Sequence, residues 1–293
     1  MPSIMKSSGL LKRSHIRKMF PVRDAASHKG LNGKVLIVGG SIEYYGAPLL
    51  SALGSLYAGA DLVHLFVPES NFDVTRSLYP DFIVKKFPGH YLTHTGVREI
   101  LEFSTTCDSI LIGPGMYDRE VTVRAILELI EALRIPTVLD STAIDVLKHV
   151  KEVPLSQPIV VCPHKNEFEN LTLKEVKNLN DTEELVKFIR TIATEMKINI
   201  LFKNPQDIIA SPEGEIRFNK TGNAGLTVGG SGDVLAGVIT SLIAQGATPY
   251  EACQIAAFVV GYTGDYLYKQ KDYCFSATDL ALEIPFTIRH ILQ

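Results

Sequence analysis

Thr221-Gly-Asn-Ala-Gly-Leu-Thr-Val-Gly-Gly-Ser-Gly-Asp-Val-Leu-Ala-Gly237 carries five glycines between Gly222 and Gly232. The run then continues as Asp233-Val-Leu-Ala-Gly-Val-Ile-Thr-Ser-Leu-Ile243, whose apolar spacing is that of a buried helix. A glycine-rich loop lets successive backbone N–H groups converge on one concavity, and the first turn of a helix leaves its N–H groups unpaired. The stretch therefore predicts an anion cradle suited to phosphate. An acid at the end of such a cradle repels phosphate and is out of place unless it does chemistry. Asp233 is read as a general base that takes a proton from a substrate hydroxyl, while the N–H groups of Gly230, Ser231 and Gly232 stabilise the charge on a transferred phosphoryl group. The alternative is an N-cap aspartate following a glycine turn.

The chain has 293 residues, 46% of them hydrophobic and 21% charged, enough for one large α/β domain with a substantial core. A formal net charge of -3 with interspersed signs argues against nucleic acid or an anionic membrane as partner. No apolar run reaches the roughly 20 residues that span a bilayer. Cys107, Cys162, Cys253 and Cys274 form no Cys-x-x-Cys pair, so neither a zinc site nor a disulfide framework is suggested and a cytoplasmic setting fits. Near the N-terminus, Lys6, Lys12, Arg13, Arg17 and Lys18 surround Leu10, Leu11, Ile16 and Met19. This segment is read as an amphipathic surface helix with a basic face in preference to a targeting peptide. No linker, repeat or low-complexity tract divides the sequence. A single domain over 1–293 is expected, with 1–27 as an N-terminal helical extension.

Short apolar runs at 35–38, 62–67, 109–112, 137–140, 159–162 and 198–202 alternate with helical patterns at 49–60, 121–133 and 183–196. Strands of continuous apolar residues alternating with helices predict a mainly parallel central sheet with helices on both faces. Ile208-Ile-Ala210 and Ile216-Arg-Phe218, around Pro212-Glu-Gly214, predict a hairpin. From Asp233 onward the pattern is helical, through 250–268 and again from 278.

In open sheets of this kind ligands sit beyond the carboxyl ends of the strands, and several conspicuous turns fall there. Gly39-Gly40 reads as a tight turn between strand and helix, and Gly113-Pro-Gly115, also between strand and helix, has a backbone that can approach a ligand closely or simply turn. Asp140 ends another strand and could cap the turn that follows. Cys162-Pro-His-Lys-Asn-Glu-Phe-Glu169 and Lys203-Asn-Pro-Gln-Asp207 place charged groups at two further strand ends. Lys203 and Asp207 could form no more than a surface ion pair.

Gly229-Gly-Ser-Gly-Asp233 followed by Val-Leu-Ala-Gly237 resembles the signature of the ribokinase-like superfamily. The longer form from Asn223 resembles more narrowly the ADP- or ATP-dependent NAD(P)H-hydrate dehydratases, which repair hydrated nicotinamide cofactors. His28-Lys-Gly30, Gly39-Gly-Ser41 and Gly46-Ala-Pro48 are similar to the opening of that family, so the likeness covers nearly the whole chain from His28. It implies a ribokinase-like fold and a substrate of NAD(P)H hydrate. Ala47, Gly115, His164 and Asp233 would contact that substrate. Lys203, Asn204, Pro205, Gln206, Asp207, Asn223 and Gly232 would border ADP or ATP. Magnesium would be organised through water by Glu167, in the register Pro163-His164-x-x-Glu167. Asn166-x-x-Glu169 spells a competing pattern two residues out of register. Asn204 stands where the family has glycine, which asparagine can partly replace because it visits positive φ. The strand end at Asp140 resembles the family's Leu-Asp-Ala-Asp, but Ser141-Thr142 replace its later residues, so only Asp140 carries over.

The resemblance further implies a homo-oligomer and a separate chain for NAD(P)H-hydrate epimerase. Two rivals share the same sequence features. A vitamin-pathway kinase acting on hydroxyethylthiazole or hydroxymethylpyrimidine would use the same cradle and stop at the phosphorylated alcohol. A nucleotide-binding regulatory module would bind without turnover.

Overall fold

The computed structural model of the chain describes residues 9–150, 156–176 and 182–293. In chain order the elements are α1 (Arg13–Met19), β1 (Lys34–Val38), α2 (Gly46–Tyr57), β2 (Leu62–Pro68), α3 (Phe72–Leu78), β3 (Phe82–Phe87) and α4 (His94–Ser104). Then come β4 (Ser109–Ile112), α5 (Glu120–Ala132), β5 (Thr137–Leu139), α6 (Thr142–Val146), β6 (Ile159–Val161), α7 (Lys165–Thr172), α8 (Thr182–Met196) and β7 (Asn199–Phe202). The chain closes with β8 (Asp207–Ala210), β9 (Ile216–Asn219), α9 (Ser231–Ala244), α10 (Pro249–Lys271) and α11 (Ala277–Leu292).

Among the described residues the strands form one nine-stranded sheet in the order β3-β2-β1-β4-β5-β6-β7-β8-β9. β1 to β7 pair in parallel, and β8 and β9 are added antiparallel as the expected hairpin. Successive side chains on a strand point to opposite faces. Val35 and Ile37 accordingly join a core with α2, α9, α10 and α11, while Leu36 and Val38 join a second core with α4, α5 and α8. Burial on both faces is why these strands read as unbroken apolar runs.

β3 and α4 have no counterpart among the expected elements. β3 is an edge strand whose Lys85 and Lys86 interrupt the apolar pattern, as edges commonly require. Lys85 instead lies over the rings of Phe66 and Phe103, 5.6 and 4.7 Å from their centroids.

Among the described residues the N-terminal segment contributes the α-helix α1; residues 1–8, Lys6 among them, lie outside the described residues. Ile16 of α1 is fully buried while Arg13, Arg17 and Lys18 stay exposed, so this helix is amphipathic with a basic outer face. Arg13 donates to the carbonyls of His290 and Ile291, and Arg17 to that of Gln293, tying the segment to the end of α11. No helix among the described residues is long and apolar enough to cross a membrane.

Two glycines set the placement of α9. A Cβ on Gly237 would strike the carbonyl of Ser51, and one on Gly54 would strike the carbonyl of Val234, so α2 and α9 pack backbone against backbone. Ser55 Oγ donates to Gly237 O across the same contact (2.8 Å). Gly237→Ala is therefore expected to destabilise the fold by about 1–3 kcal/mol, the usual cost of overpacking. The backbone it meets cannot rotate away as a side chain could. A melting temperature equal to that of the unmodified protein would show that the two helices separate freely.

Candidate active site

Helix α9 begins at Ser231, two residues before the expected start, and its N-cap is Gly230 at φ +95. A left-handed backbone there is natural only for glycine. Asp233 is thus the third residue of the helix and not its N-cap, which removes the structural alternative for it. The Ser231 N–H donates back to Val228 O (3.2 Å), and Ser231 Oγ to Leu226 O (2.6 Å). Of the three N–H groups expected to meet a phosphoryl group, that of Ser231 is therefore already engaged. First-turn N–H groups such as those of Gly232 and Asp233 lack a carbonyl one turn below and remain available.

Three charged side chains from other strand ends act on Asp233. Lys203, after β7, places Nζ 3.7 Å from Asp140 Oδ1 and 3.5 Å from Glu167 Oε2. A Cβ on Gly232 would lie 3.5 Å from the same Nζ, which sets the ammonium beside the first turn of α9. Burial, then the negative charge of Asp140, push the Asp233 carboxyl up to about 8, against the opposing pull of Lys203. The two neighbouring carboxylates outweigh burial at Lys203 itself and raise its pKa.

Asp140 is 3% exposed, and its Oδ1 has no hydrogen-bond partner among the described residues. It does not cap α6; that position belongs to Ser141, held at φ +51, ψ -131. A non-glycine residue in that region is strained, and such strain collects at functional sites.

His164 is the N-cap of α7 in a reciprocal capping box. Its Nδ1 accepts from Glu167 N–H (3.2 Å), and Glu167 Oε2 accepts from His164 N–H (2.8 Å). An accepting Nδ1 puts the proton of the neutral ring on Nε2. The register through Pro163 thus brings Glu167 to Lys203. Glu169 of the competing pattern instead accepts from Val176 N–H (2.7 Å) and stays away from the cluster.

The crevice between β1 and β4 is where the strand order reverses, and the two glycine turns meet there. Gly40 N–H donates to Pro114 O (2.8 Å), and a Cβ on Gly113 would overlap the carbonyl of Asp140. Gly115, at φ +66, faces Tyr44 O and the Ala47 Cβ; its own Cβ would come within 2.8 and 3.0 Å of them. Ala47 and Leu50 lie three apart on one face of α2, and Leu50 packs under Gly230. One helical turn therefore joins the Gly115 turn to the start of α9.

Other expected site residues are occupied within the fold. Asp207 accepts from Asn204 N–H (3.2 Å) and Asn219 Nδ2 (3.0 Å), and burial pushes its carboxyl up to about 6. Lys203 pairs with Asp140 and Glu167, so no Lys203–Asp207 surface pair forms. Asn204 does not adopt positive φ, and its place in the turn needs no glycine. Pro205 is exposed and Gln206 partly so. Asn223 Oδ1 caps Gly225 N–H (2.9 Å) while its amide donates to Asp265 Oδ1 (3.1 Å). Asp265, which no sequence signal singled out, also accepts from Gly222 N–H (3.0 Å) and so fastens the glycine loop to α10.

No group of three or more His, Cys, Asp and Glu among the described residues could cage a metal unaided. The orphaned Asp140 Oδ1 and Glu167 form instead the sparse carboxylate set that suits magnesium carried on nucleotide phosphates.

A profile of the NAD(P)H-hydrate dehydratase family matches residues 35–286. The chain is 37% identical over 268 residues to a bifunctional NAD(P)H-hydrate repair enzyme of Methanothermobacter thermautotrophicus, covering 90% of this chain and 51% of that protein. It spans about half the length of several curated relatives of that type. An ADP-dependent (S)-NAD(P)H-hydrate dehydratase of Nitrosopumilus maritimus is 35% identical over 273 residues, 92% of this chain and 93% of that one. The solved ADP/ATP-dependent NAD(P)H-hydrate dehydratase of Bacillus subtilis, co-crystallised with ATP and Mg2+, aligns with a TM-score of 0.85 at 25% identity, over 98% of this chain and 100% of that one. The chain has a ribokinase-like fold and belongs to the NAD(P)H-hydrate dehydratase family.

Proposed function

We propose that the chain catalyses the nucleotide-driven dehydration of the S form of NADH hydrate and NADPH hydrate. The observation that carries this reading is Asp233 itself. It is a partly buried carboxyl group in the first turn of a glycine-opened helix, it is not the N-cap, and the charges of Asp140, Lys203 and Glu167 act on it. The family match over residues 35–286 favours this over a vitamin-pathway kinase.

Asp233 takes the proton from the hydroxyl on the hydrated ring carbon, whose oxygen attacks the terminal phosphoryl group of ADP or ATP in line. The N–H groups at the start of α9 and the Lys203 ammonium hold the phosphoryl charge as it moves. The C–O bond of the resulting ester then breaks as the lone pair of the ring nitrogen expels phosphate, and the adjacent ring carbon gives up a proton, which the departing phosphate can accept, to restore the dihydronicotinamide. That last chemistry belongs to the substrate, and the protein supplies orientation and charge. Magnesium, when bound with the nucleotide, neutralises phosphate charge; Glu167 would reach it through water, with Asp140 beside it. Ala47, Gly115 and His164 would border the hydrate. Gly232 and the 203–207 turn would border the nucleotide, with Asn223 and Asp207 acting through the loop shapes they hold.

Incubation with NADH hydrate and each of ADP and ATP, following recovery of dihydronicotinamide absorbance, tests the reading. No recovery with either nucleotide would refute it. A companion expectation concerns Gly115→Val. The new side chain would push on Tyr44 and Ala47 at a left-handed backbone position, so the KM for the hydrate is expected to rise far more than that for the nucleotide. A selective rise in the nucleotide KM would reverse the assignment of the two halves of the site.

A further inference from the structure

Three loops at the carboxyl edge of the sheet meet outside the β1/β4 crevice: 41–45, 88–92 and 116–119. The Ile42 N–H donates to His90 O (3.2 Å), joining the first two. The Arg119 guanidinium lies 3.9 Å from the centroid of the Tyr91 ring and 5.4 Å from that of Tyr117, and the two rings are 6.1 Å apart. Arg119 Nη2 donates to Tyr91 Oη (3.0 Å), which donates in turn to Glu43 Oε1 (2.7 Å). This chain of hydrogen bonds fixes the guanidinium plane and balances its charge.

The cluster has no evident duty in the fold. Tyr91, Tyr117 and Arg119 belong to neither core, and Arg119 occupies the N-cap of α5 without a capping bond. Tyr117 is 41% exposed and Tyr44 55% exposed. Gly115, two residues before Tyr117, packs on Tyr44 and Ala47, so the cluster begins where the crevice side of the site ends.

We propose that this arginine and tyrosine platform takes the adenosine half of the dinucleotide substrate, its purine stacking on Arg119 and Tyr117. The proposal rests on the dehydratase reading above. A dinucleotide whose nicotinamide ring reaches Asp233 carries an adenosine remote from the reacting carbon, where it supplies binding energy and no chemistry. Purine faces suit guanidinium planes and phenol rings. With Arg119 already balanced by Glu43, the platform favours a neutral base over a phosphate, and Glu43 offers an acceptor to a ribose hydroxyl. The phosphoryl donor also carries adenosine, but Lys203 follows β7, separated from β4 by β5 and β6 in the sheet.

The wild-type protein is first assayed with NADH hydrate and with the hydrate of reduced nicotinamide mononucleotide, which lacks adenosine. Turnover of both establishes the dehydratase reading independently of the platform. The double variant Arg119→Ala, Tyr117→Ala is then expected to raise the KM for NADH hydrate about tenfold or more, as loss of base stacking does. The kcat, the KM for the donor nucleotide and the KM for the mononucleotide hydrate stay unchanged. An unaltered KM for NADH hydrate overturns the proposal, as does an equal rise for both hydrates. A rise confined to the donor overturns it in favour of a donor subsite. If the wild type turns over neither hydrate, the dehydratase reading alone falls. Fluorescence titration with NADH and its reduced mononucleotide then reads the same contrast, and an unchanged NADH affinity in the variant overturns the platform.

Discussion

Asp233→Asn is expected to lower kcat by about 10²–10⁴-fold, the contribution of a general base, in a protein that stays folded. Two structural effects oppose each other in this substitution. A negative charge in the first turn of a helix is ordinarily worth about 0.3–1 kcal/mol. Burial and Asp140 act the other way and win, since the carboxyl is pushed up to about 8. Its folded pKa lies above the unfolded value of about 4, so the folded state holds the proton more tightly. Ionisation then erodes stability as pH rises from about 4 to about 8. The asparagine variant lacks this loss. Its melting temperature should match that of wild type near pH 4 and exceed it progressively towards pH 8. In the wild type, only about a tenth of a group with this pKa is ionised at pH 7, so kcat/KM should climb with pH to a midpoint near 8. Nucleotide affinity should hold at pH 7, where the wild-type carboxyl is mostly neutral, and improve relative to wild type towards pH 8 and above, where the variant lacks a negative charge near phosphate. A variant keeping more than about a tenth of wild-type kcat would remove Asp233 from the chemistry.

The legibility of this molecule in its sequence follows burial and chain locality. β1, β4 and β7 are buried on both faces and announce themselves as apolar runs, whereas β3 at the edge carries lysines that hide it. Asp233 was legible because its glycines precede it directly. Glu167 was reached through the register of the resemblance, Pro163-His164-x-x-Glu167; the capping box that holds it there appears only in the folded chain. The Lys203–Asp140 pair was not, since two strand ends separated by another strand and 63 positions of sequence obey no spacing rule. Asp265 was hidden for the same reason: its partners, Gly222 and Asn223, lie more than 40 residues earlier. The roles of Asp207 and Asn223 in shaping loops, and the collision awaiting any side chain at Gly115, depend on neighbours that only the folded chain supplies.

Lys203→Met is expected to damage both stability and nucleotide binding. The ammonium stands between Asp140 and Glu167, and it also opposes the upward shift of Asp233. Its removal leaves these carboxyl groups facing one another with no cation among them. Breaking a buried ion pair from one side typically costs about 3–5 kcal/mol. The lower end applies here, because the Lys203 side chain keeps 23% exposure and both contacts are longer than a strong hydrogen bond. Asp140, whose carboxyl burial already raises, would rise further, so the variant should lose stability relative to wild type as pH increases through the range where Asp140 ionises. The double variant Asp140→Asn, Lys203→Met separates structure from function. With no buried charge left unpaired at Asp140, it should regain most of the lost stability. With no ammonium beside the α9 turn, its KM for the nucleotide should remain high. Denaturant melts at pH 6 and pH 8 read the first effect, and nucleotide kinetics the second. Full recovery of nucleotide KM in the double variant would mean that Lys203 serves only to neutralise Asp140, and the phosphoryl charge would then rest on the backbone N–H groups of α9 alone.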